Sequence, residues 1–148
     1  MTHEREDDAA VDRDAGVWNG RPVARRFESP DGFTVLVGKS ASDNDTLTFK
    51  VARANDIWMH VASGPGSHVV VRNPDNLPSL PRDTVRFAAA LAVGYSSARK
   101  GGRSAVHVAR RSDVSKPRGW APGKVALRRY KTVQASPLRE PGAASSRE

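Results

Sequence analysis

Short runs of residues that are β-branched and apolar, or that alternate apolar with polar, recur along the chain. Such patterns are typical of β-strands, and strict alternation indicates a half-buried strand. The runs lie at 33–37, 46–51, 57–62, 67–72, 104–109 and 124–130. The first two runs are predicted to pair, with residues 38–45 as the connecting loop. The short turns between runs indicate a largely antiparallel sheet of about six strands.

The period changes between the fourth and fifth runs. Residues 73–82 contain three prolines and are predicted to form an irregular loop. From Asp83 or Thr84, either of which can cap a helix, apolar residues recur at spacings of three and four as far as Arg99. Alanine and glycine within this segment allow the helix to approach a sheet closely. The predicted fold class is α+β: a largely antiparallel β-sheet with one main α-helix packed on one face.

The faces of the predicted strands carry the first candidate chemistry. Asp56, Trp58 and His60 share one face of the third run, and His68 and Arg72 share a face of the fourth. One interpretation is that Trp58 is exposed and serves as a stacking platform for a base. The other is that Trp58 packs beneath a loop with His60 as its hydrogen-bonded neighbour, since indole rings are usually buried.

The net charge of +8 is unevenly distributed along the chain. Residues 1–14 hold six acids and two bases, a net of −4, whereas residues 15–148 hold ten acids and 22 bases, a net of +12. Eleven of these bases, against the single acid Asp113, lie in residues 96–131. This segregation favours a polyanionic partner such as nucleic acid. The alternative is a basic surface without a partner, because 18 of the 24 bases are arginines and arginine usage can follow genome composition.

The 148-residue chain contains no cysteine, which excludes disulfides, thiolate metal sites and cysteine nucleophiles. No run approaches about 18 apolar residues, and the N-terminus is acidic where a signal peptide would be basic and then apolar. We therefore expect one domain, located in the cytoplasm, without membrane contact. The expected boundaries are a disordered acidic tail at 1–16, a folded domain at 17–137 and a disordered tail at 138–148.

The segment 115–124 is the second candidate site. It combines Lys116, Arg118 and Lys124 with Trp120 and two glycines. Cations bind phosphate, indole stacks on bases, and glycine lets the backbone approach a ligand closely. The alternative is an ordinary solvated loop with the tryptophan tucked beneath it.

An enzyme is a competing interpretation. Asp56, His60 and His68 can support acid/base cleavage or modification of RNA, and with His107 the histidines can form a metal site. No spacing diagnostic of a hydrolase and no nucleotide-binding loop occurs. We therefore expect no catalytic residue, no metal site and no cofactor. A protein-interaction module is a third class.

Several short motifs resemble the NFACT-R domain, the RNA-binding domain of the NEMF and RqcH proteins of ribosome-associated quality control. The matching motifs are Asn44-Asp45-x-Leu47-Thr48, Asp56-x-Trp58-x-His60, Gly66-Ser67-His68, Lys116-Pro117 and Pro122-Gly123-x-Val125. The resemblance covers roughly residues 31–136. Asp-x-Trp-x-His followed by Gly-Ser-His is specific at this spacing.

The resemblance implies an RNA-binding domain rather than an enzyme. Full-length members bind stalled large ribosomal subunits and tRNA, and promote tailing of the nascent chain. This sequence has no room for their N-terminal domain or coiled coil, so we expect a stand-alone NFACT-R domain. The expected partners are RNA, either tRNA or rRNA, and the large ribosomal subunit. In the alternative of a protein-interaction module, the partner would be a ribosome-associated factor.

The candidate nucleic-acid-binding residues come from these motifs and from the basic segments. They are Lys39, Asn44, Asp56, Trp58, His60, Ser67, His68, Arg72, Lys116, Arg118, Trp120, Lys124, Arg128 and Arg129. Cations are expected to hold phosphates, tryptophan to stack on bases, and Asp56, His60 and His68 to shape a polar pocket around a base or ribose.

Overall fold

The structure, a computed structural model, describes residues 10–139. The predicted tails at 1–16 and 138–148 therefore lie partly outside the described residues. The described part contains ten strands and two α-helices. The strands are β1 (Val17–Trp18), β2 (Arg21–Pro22), β3 (Ala24–Glu28), β4 (Thr34–Gly38), β5 (Ile57–Val61), β6 (Val69–Val71), β7 (Ser104–Arg110), β8 (Val114–Ser115), β9 (Ala126–Leu127) and β10 (Lys131–Ala135). The helices are α1 (Ala41–Thr46), which continues as a π-helical turn (Leu47–Val51), and α2 (Arg82–Gly94), and a 3₁₀ turn covers Arg111–Asp113.

Six of the strands form one sheet in the order β10-β7-β5-β6-β4-β3. Every neighbouring pair is antiparallel, which confirms the predicted sheet and the α+β class. β5 lies in the interior of the sheet, where Trp58 is paired with Val70 on one side and with Ala109 on the other. Two small ribbons, β1 with β2 and β8 with β9, complete the described strands.

The sheet separates two apolar cores because successive side chains of a strand point to opposite faces. Met59 and Val69 face α2 in the first core. Trp58 and Val70 face the opposite side and pack with Leu47 of the π-helical turn in the second core. The domain is therefore covered on both faces, by α2 on one and by α1 with its π-helical turn on the other.

The predicted pairing of 33–37 with 46–51 is wrong, and so is the predicted loop at 38–45. The segment 41–51 is helical: the Ser40 hydroxyl caps α1 by accepting a hydrogen bond from the Asp43 amide at 3.1 Å. Leu47 and Val51 are four residues apart, so their spacing fits one face of a helix as well as one face of a strand. Both are fully buried in the second core.

β4 pairs instead with β6, which lies in a predicted run, and with β3, which the sequence pattern did not reveal. β3 lies at the sheet edge, and its exposed residues include Arg25 and Arg26. An edge strand with charged side chains has a weak apolar pattern, and charge on an edge also discourages pairing with other chains.

The predicted strand at 124–130 is also largely wrong. Only β9 forms there, and the sheet is completed by β10, which pairs with β7. The apolar residues Val125 and Leu127 produced the prediction, but they pack onto the second core beneath the loop.

α2 confirms the predicted helix but ends five residues before Arg99 and is not capped by Asp83 or Thr84. Pro81 precedes its first turn. The buried hydroxyl of Thr84 instead hydrogen bonds to Ser29 and Asp31, at 2.8 Å in each case. Beyond Gly94 the chain leaves the helix, and Ser96 forms a β-bridge with Gly66.

Residues 10–16 pack onto the domain. The Arg13 guanidinium donates hydrogen bonds of 2.7 Å to the carbonyls of Lys50 and Val51, and Asp14 lies 3.0 Å from Arg72. Among residues 10–139, no helix is both long and apolar enough to cross a membrane.

The end of α2 depends on a glycine, which gives a test of the packing. A Cβ on Gly94 would overlap the backbone of Leu138, whereas a Cβ on Gly102 would meet nothing within 4 Å. We expect Gly94→Ala to lower the free energy of unfolding by about 1–3 kcal/mol, despite the better helix propensity of alanine. Gly102→Ala should stay within about 0.5 kcal/mol. Urea denaturation of both variants measures the difference, and equal effects would contradict this packing.

Candidate functional site

His68 joins three segments of the chain at the centre of the predicted site. Its ring Nδ1 lies 2.8 Å from the Thr48 hydroxyl and its Nε2 lies 2.9 Å from the Gly123 carbonyl oxygen. Since a carbonyl oxygen only accepts, Nε2 carries the proton, and the Thr48 hydroxyl donates to Nδ1. The side chain is thus a fully satisfied neutral imidazole, and the residue is only 1% exposed.

His68 packs in a cluster of three aromatic rings with Trp58 and His60. Trp58 stacks nearly parallel to His60, with ring centroids 5.9 Å apart, and His68 meets Trp58 edge-on at 5.1 Å. Trp58 is 2% exposed, so its proposed role as a stacking platform for a base is wrong. The alternative holds in part: the indole packs inside the second core with His60 against it.

Burial controls the charge of both histidines. Loss of solvation lowers the pKa of His68 to about 4, and the nearby His60 and Lys116 act in the same direction, against the Gly123 carbonyl and Asp45. The pKa of His60 is also lowered, again chiefly by burial. His68 is therefore uncharged at neutral pH and contributes no positive field to a ligand.

Asn44 and Ser67 hold the same region from the other side. The Asn44 side chain accepts from the His68 amide at 3.0 Å and donates to the Gly66 carbonyl at 3.3 Å. The Ser67 hydroxyl donates to the Gly38 carbonyl at 2.7 Å. Gly38 has no room for a Cβ because the Asn44 side chain occupies that space. Both predicted site residues therefore position backbone within the fold.

The segment 115–124, called the 115–124 loop below, is attached to α1 through Asp45. One carboxylate oxygen of Asp45 accepts from the Gly123 amide at 3.1 Å, and the other lies 3.2 Å from the Lys116 ammonium. Lys116 also donates to the carbonyls of Ala121 and Lys124. The Lys116 charge is thus engaged inside the loop. His68 also holds the loop, through its hydrogen bond to the Gly123 carbonyl.

Asp56 and Arg72 form a separate buried network. Asp56 accepts from the amides of Arg53 and Asn73, each at 2.8 Å, and pairs with the Arg72 guanidinium. It is 1% exposed. The expectation that Asp56 shapes a pocket around a base is wrong, since its carboxylate is enclosed and already accepts from three donors.

The arrangement does not assemble the catalytic or metal-binding set considered from sequence. Both ring nitrogens of His68 are occupied, and Asp56 is enclosed by its own donors. His107 faces Tyr130, with ring centroids 4.5 Å apart. Across residues 10–139 no group of three histidine or carboxylate side chains converges as a possible metal site.

Apart from Lys39, the exposed cations of the predicted site and its exposed aromatic ring lie on the 115–124 loop and the chain that follows it. Trp120 is 40% exposed, and the Lys124 ammonium lies 5.1 Å from its ring centroid. Arg118 and Arg129 are also exposed. Arg128 is 72% exposed although it donates to Asp113 at 2.8 and 3.0 Å.

Lys39 lies apart from these groups, in a cleft that the sequence did not predict. The cleft has a volume of about 620 Å³ and lies where the C-terminal end of α2 meets the start of α1. Arg25, Lys39, Arg99 and Arg139 line it together with Tyr95, and among residues 10–139 no carboxylate lines it. The four cations come from four separated segments, so no local motif marks them.

Comparison with known proteins places the chain among RNA-binding domains. A family profile described as "NFACT protein RNA binding domain" matches residues 24–129. The chain is 38% identical over 118 residues to the Rqc2 homolog RqcH of Bacillus subtilis, covering 78% of this chain and 20% of that protein. It is 39% identical over 122 residues to RqcH of Streptococcus suis, covering 81% and 21% respectively. The chain thus spans about a fifth of the length of these relatives.

A solved structure has a similar fold. It is described as the C-terminal part of the fibronectin/fibrinogen-binding protein from Streptococcus suis, and it matches with a TM-score of 0.75 and 34% identity. The match covers 84% of this chain and 49% of that one.

The neutral state of His68 predicts an acid-sensitive fold. From its ordinary pKa of 6.5 down to about 4, the unfolded chain binds a proton that the folded protein does not. Stability therefore falls as the pH falls through this range, by about 2 kcal/mol between about pH 7.5 and about pH 5. Urea denaturation at the two pH values measures this loss. His68→Gln should show a clearly shallower dependence, and an unchanged slope in that variant would contradict the assignment.

Proposed function

Because this chain belongs to the NFACT-R family of RNA-binding domains, we propose that it binds tRNA or rRNA through the 115–124 loop and the basic residues that follow it. The observation that carries the proposal is the exposed Trp120 beside Lys124, on a loop that Asp45 and His68 attach to the buried part of the domain. An aromatic face beside cations suits a nucleotide, since bases stack on the ring while phosphates pair with the charges.

Burial separates the loop residues that contact RNA from the one that holds the loop closed. Arg118, Lys124 and Arg129 are exposed and hold phosphates, and Trp120 stacks on a base. Lys116 holds the loop closed rather than contacting the ligand, because its ammonium is already surrounded by one carboxylate and two carbonyls. A loop held in place before binding loses less conformational freedom when RNA binds.

The names of the relatives support a setting at the ribosome. Two bacterial relatives are named Rqc2 homologs, and a Drosophila melanogaster relative, 29% identical over 72 residues, is named a subunit homolog of the ribosome quality control complex. That match covers 49% of this chain and 7% of the relative. The proposed partner is therefore ribosomal or transfer RNA on the large ribosomal subunit.

Substitution of Trp120 tests the stacking contact. Trp120→Ala should weaken single-stranded RNA binding by about 1–3 kcal/mol, while Trp120→Phe should retain most of the affinity because a smaller ring still stacks. Fluorescence anisotropy with labelled RNA measures both. Arg86→Gln, an exposed substitution on α2, serves as the control and should change affinity little. Equal affinity of the alanine variant and the wild type would remove Trp120 from the interface.

Salt dependence tests the electrostatic contacts. If about five phosphates are neutralised on single-stranded RNA, log K should fall with log salt at a slope near −3.5. Arg118→Gln should reduce the magnitude of this slope by about 0.7 without changing the melting temperature. Lys116→Met should lower the melting temperature and the affinity together, because it releases the loop. Affinity that does not respond to salt would contradict direct RNA contact.

A further inference from the structure

We propose that the cleft lined by Arg25, Lys39, Arg99 and Arg139 is a second phosphate-binding surface, which holds the backbone of the RNA strand that contacts the 115–124 loop. The inference rests on the proposed function and extends it to a surface outside the predicted motifs. The strand would pass over the exposed first turn of α1, which separates the loop from the cleft.

The charge of the cleft is the first argument. Its lining contains four cations and, in the part of the chain that the structure describes, no carboxylate. Within the described residues, none of the four forms an ion pair, although other arginines such as Arg72 and Arg128 do. Like charges gathered in a concave surface repel one another and focus the field on an anion. Such a surface favours phosphate over a neutral or apolar ligand.

The positions of two guanidinium groups are the second argument. Arg25 and Arg139 both lie against the Tyr95 ring, at 5.4 and 4.4 Å from its centroid. The ring is itself supported by Phe27, whose centroid lies 6.2 Å away. A guanidinium held on an aromatic face keeps its N–H groups available, and its planar fork matches two phosphate oxygens. The Arg–Tyr contacts thus position the donors before a ligand arrives.

The shape of the cleft is the third argument. A volume of about 620 Å³ accommodates a nucleotide-sized group. Part of the wall is backbone and small residues. Gly66 forms a β-bridge with Ser96 and has no room for a Cβ, and the Ser67 amide donates to the Tyr95 carbonyl at 2.9 Å. Four of the lining side chains are cationic, which suits a phosphodiester better than an exposed base.

Continuity with the 115–124 loop is the fourth argument and favours RNA as the source of the phosphate. Ala41, the first residue of α1, lines the cleft. It also lies close to the 115–124 loop, since a Cβ placed on Gly123 would be 3.6 Å from Ala41. Ser40, Ala41 and Ser42 are exposed between the two surfaces. One extended polyanion can therefore reach both surfaces without crossing an apolar region.

The experiment compares three charge-matched double variants of the full chain. The cleft variant is Arg25→Gln with Arg99→Gln, the loop variant is Arg118→Gln with Arg129→Gln, and the control is Arg82→Gln with Arg86→Gln at the N-terminal half of α2. All six arginines are exposed, so each pair removes two charges without emptying the core. Affinity for a single-stranded RNA of about 12 nucleotides is measured against salt.

The cleft variant is expected to bind about tenfold more weakly, with a salt slope smaller in magnitude by about 1.4, and the control to change less than about twofold. Equal melting temperatures of the variants show that the fold is intact. A cleft variant that behaves like the control, while the loop variant loses affinity, would overturn the inference and leave the proposed function standing. Loss of RNA affinity in the cleft variant alone would support phosphate binding in the cleft and overturn the assignment of the 115–124 loop as an RNA contact. Wild-type protein that binds no RNA would overturn both.

Discussion

The buried neutral imidazole of His68 is the interaction on which the site depends. Its two ring nitrogens connect the π-helical turn, through Thr48, with the 115–124 loop, through Gly123. Its amide is held by Asn44 of α1. A charged imidazole would be buried against Trp58 in the apolar second core, so burial favours the neutral ring, in which Thr48 donates to Nδ1.

This constraint separates the polar residues of the chain into two groups. Asn44, Asp56, His68 and Arg72 have polar partners inside the protein and position backbone or one another. Trp120, Arg118 and Lys124 face solvent, on a loop that His68 of the first group and Asp45 hold in place. The distinctive motifs therefore supply a buried frame for an exposed loop.

The same organisation explains why the basic surface is not one patch. α1 occupies the space between the 115–124 loop and the cleft, and its buried side attaches to the second core through the Leu47 turn. Exposed cations lie on either side of it. Because the cleft is formed by the ends of α2 and α1 together with an edge strand, its shape depends on the packing of both layers around the sheet.

The α+β class, most central strands, the main helix and the family could be predicted from the sequence, because period-two runs and closely spaced motifs are local properties. The sequence also indicated that the charge is concentrated toward the C-terminal half. The helical conformation of 46–51 and the completion of the sheet by β3 and β10 depend on long-range packing, since both edge strands are polar and Leu47 and Val51 fit either period. Burial likewise decided that Trp58 is core while Trp120 is surface, although the two residues look alike in sequence. The cleft has no sequence signature, because Arg25, Lys39, Arg99 and Arg139 meet only when distant segments pack together.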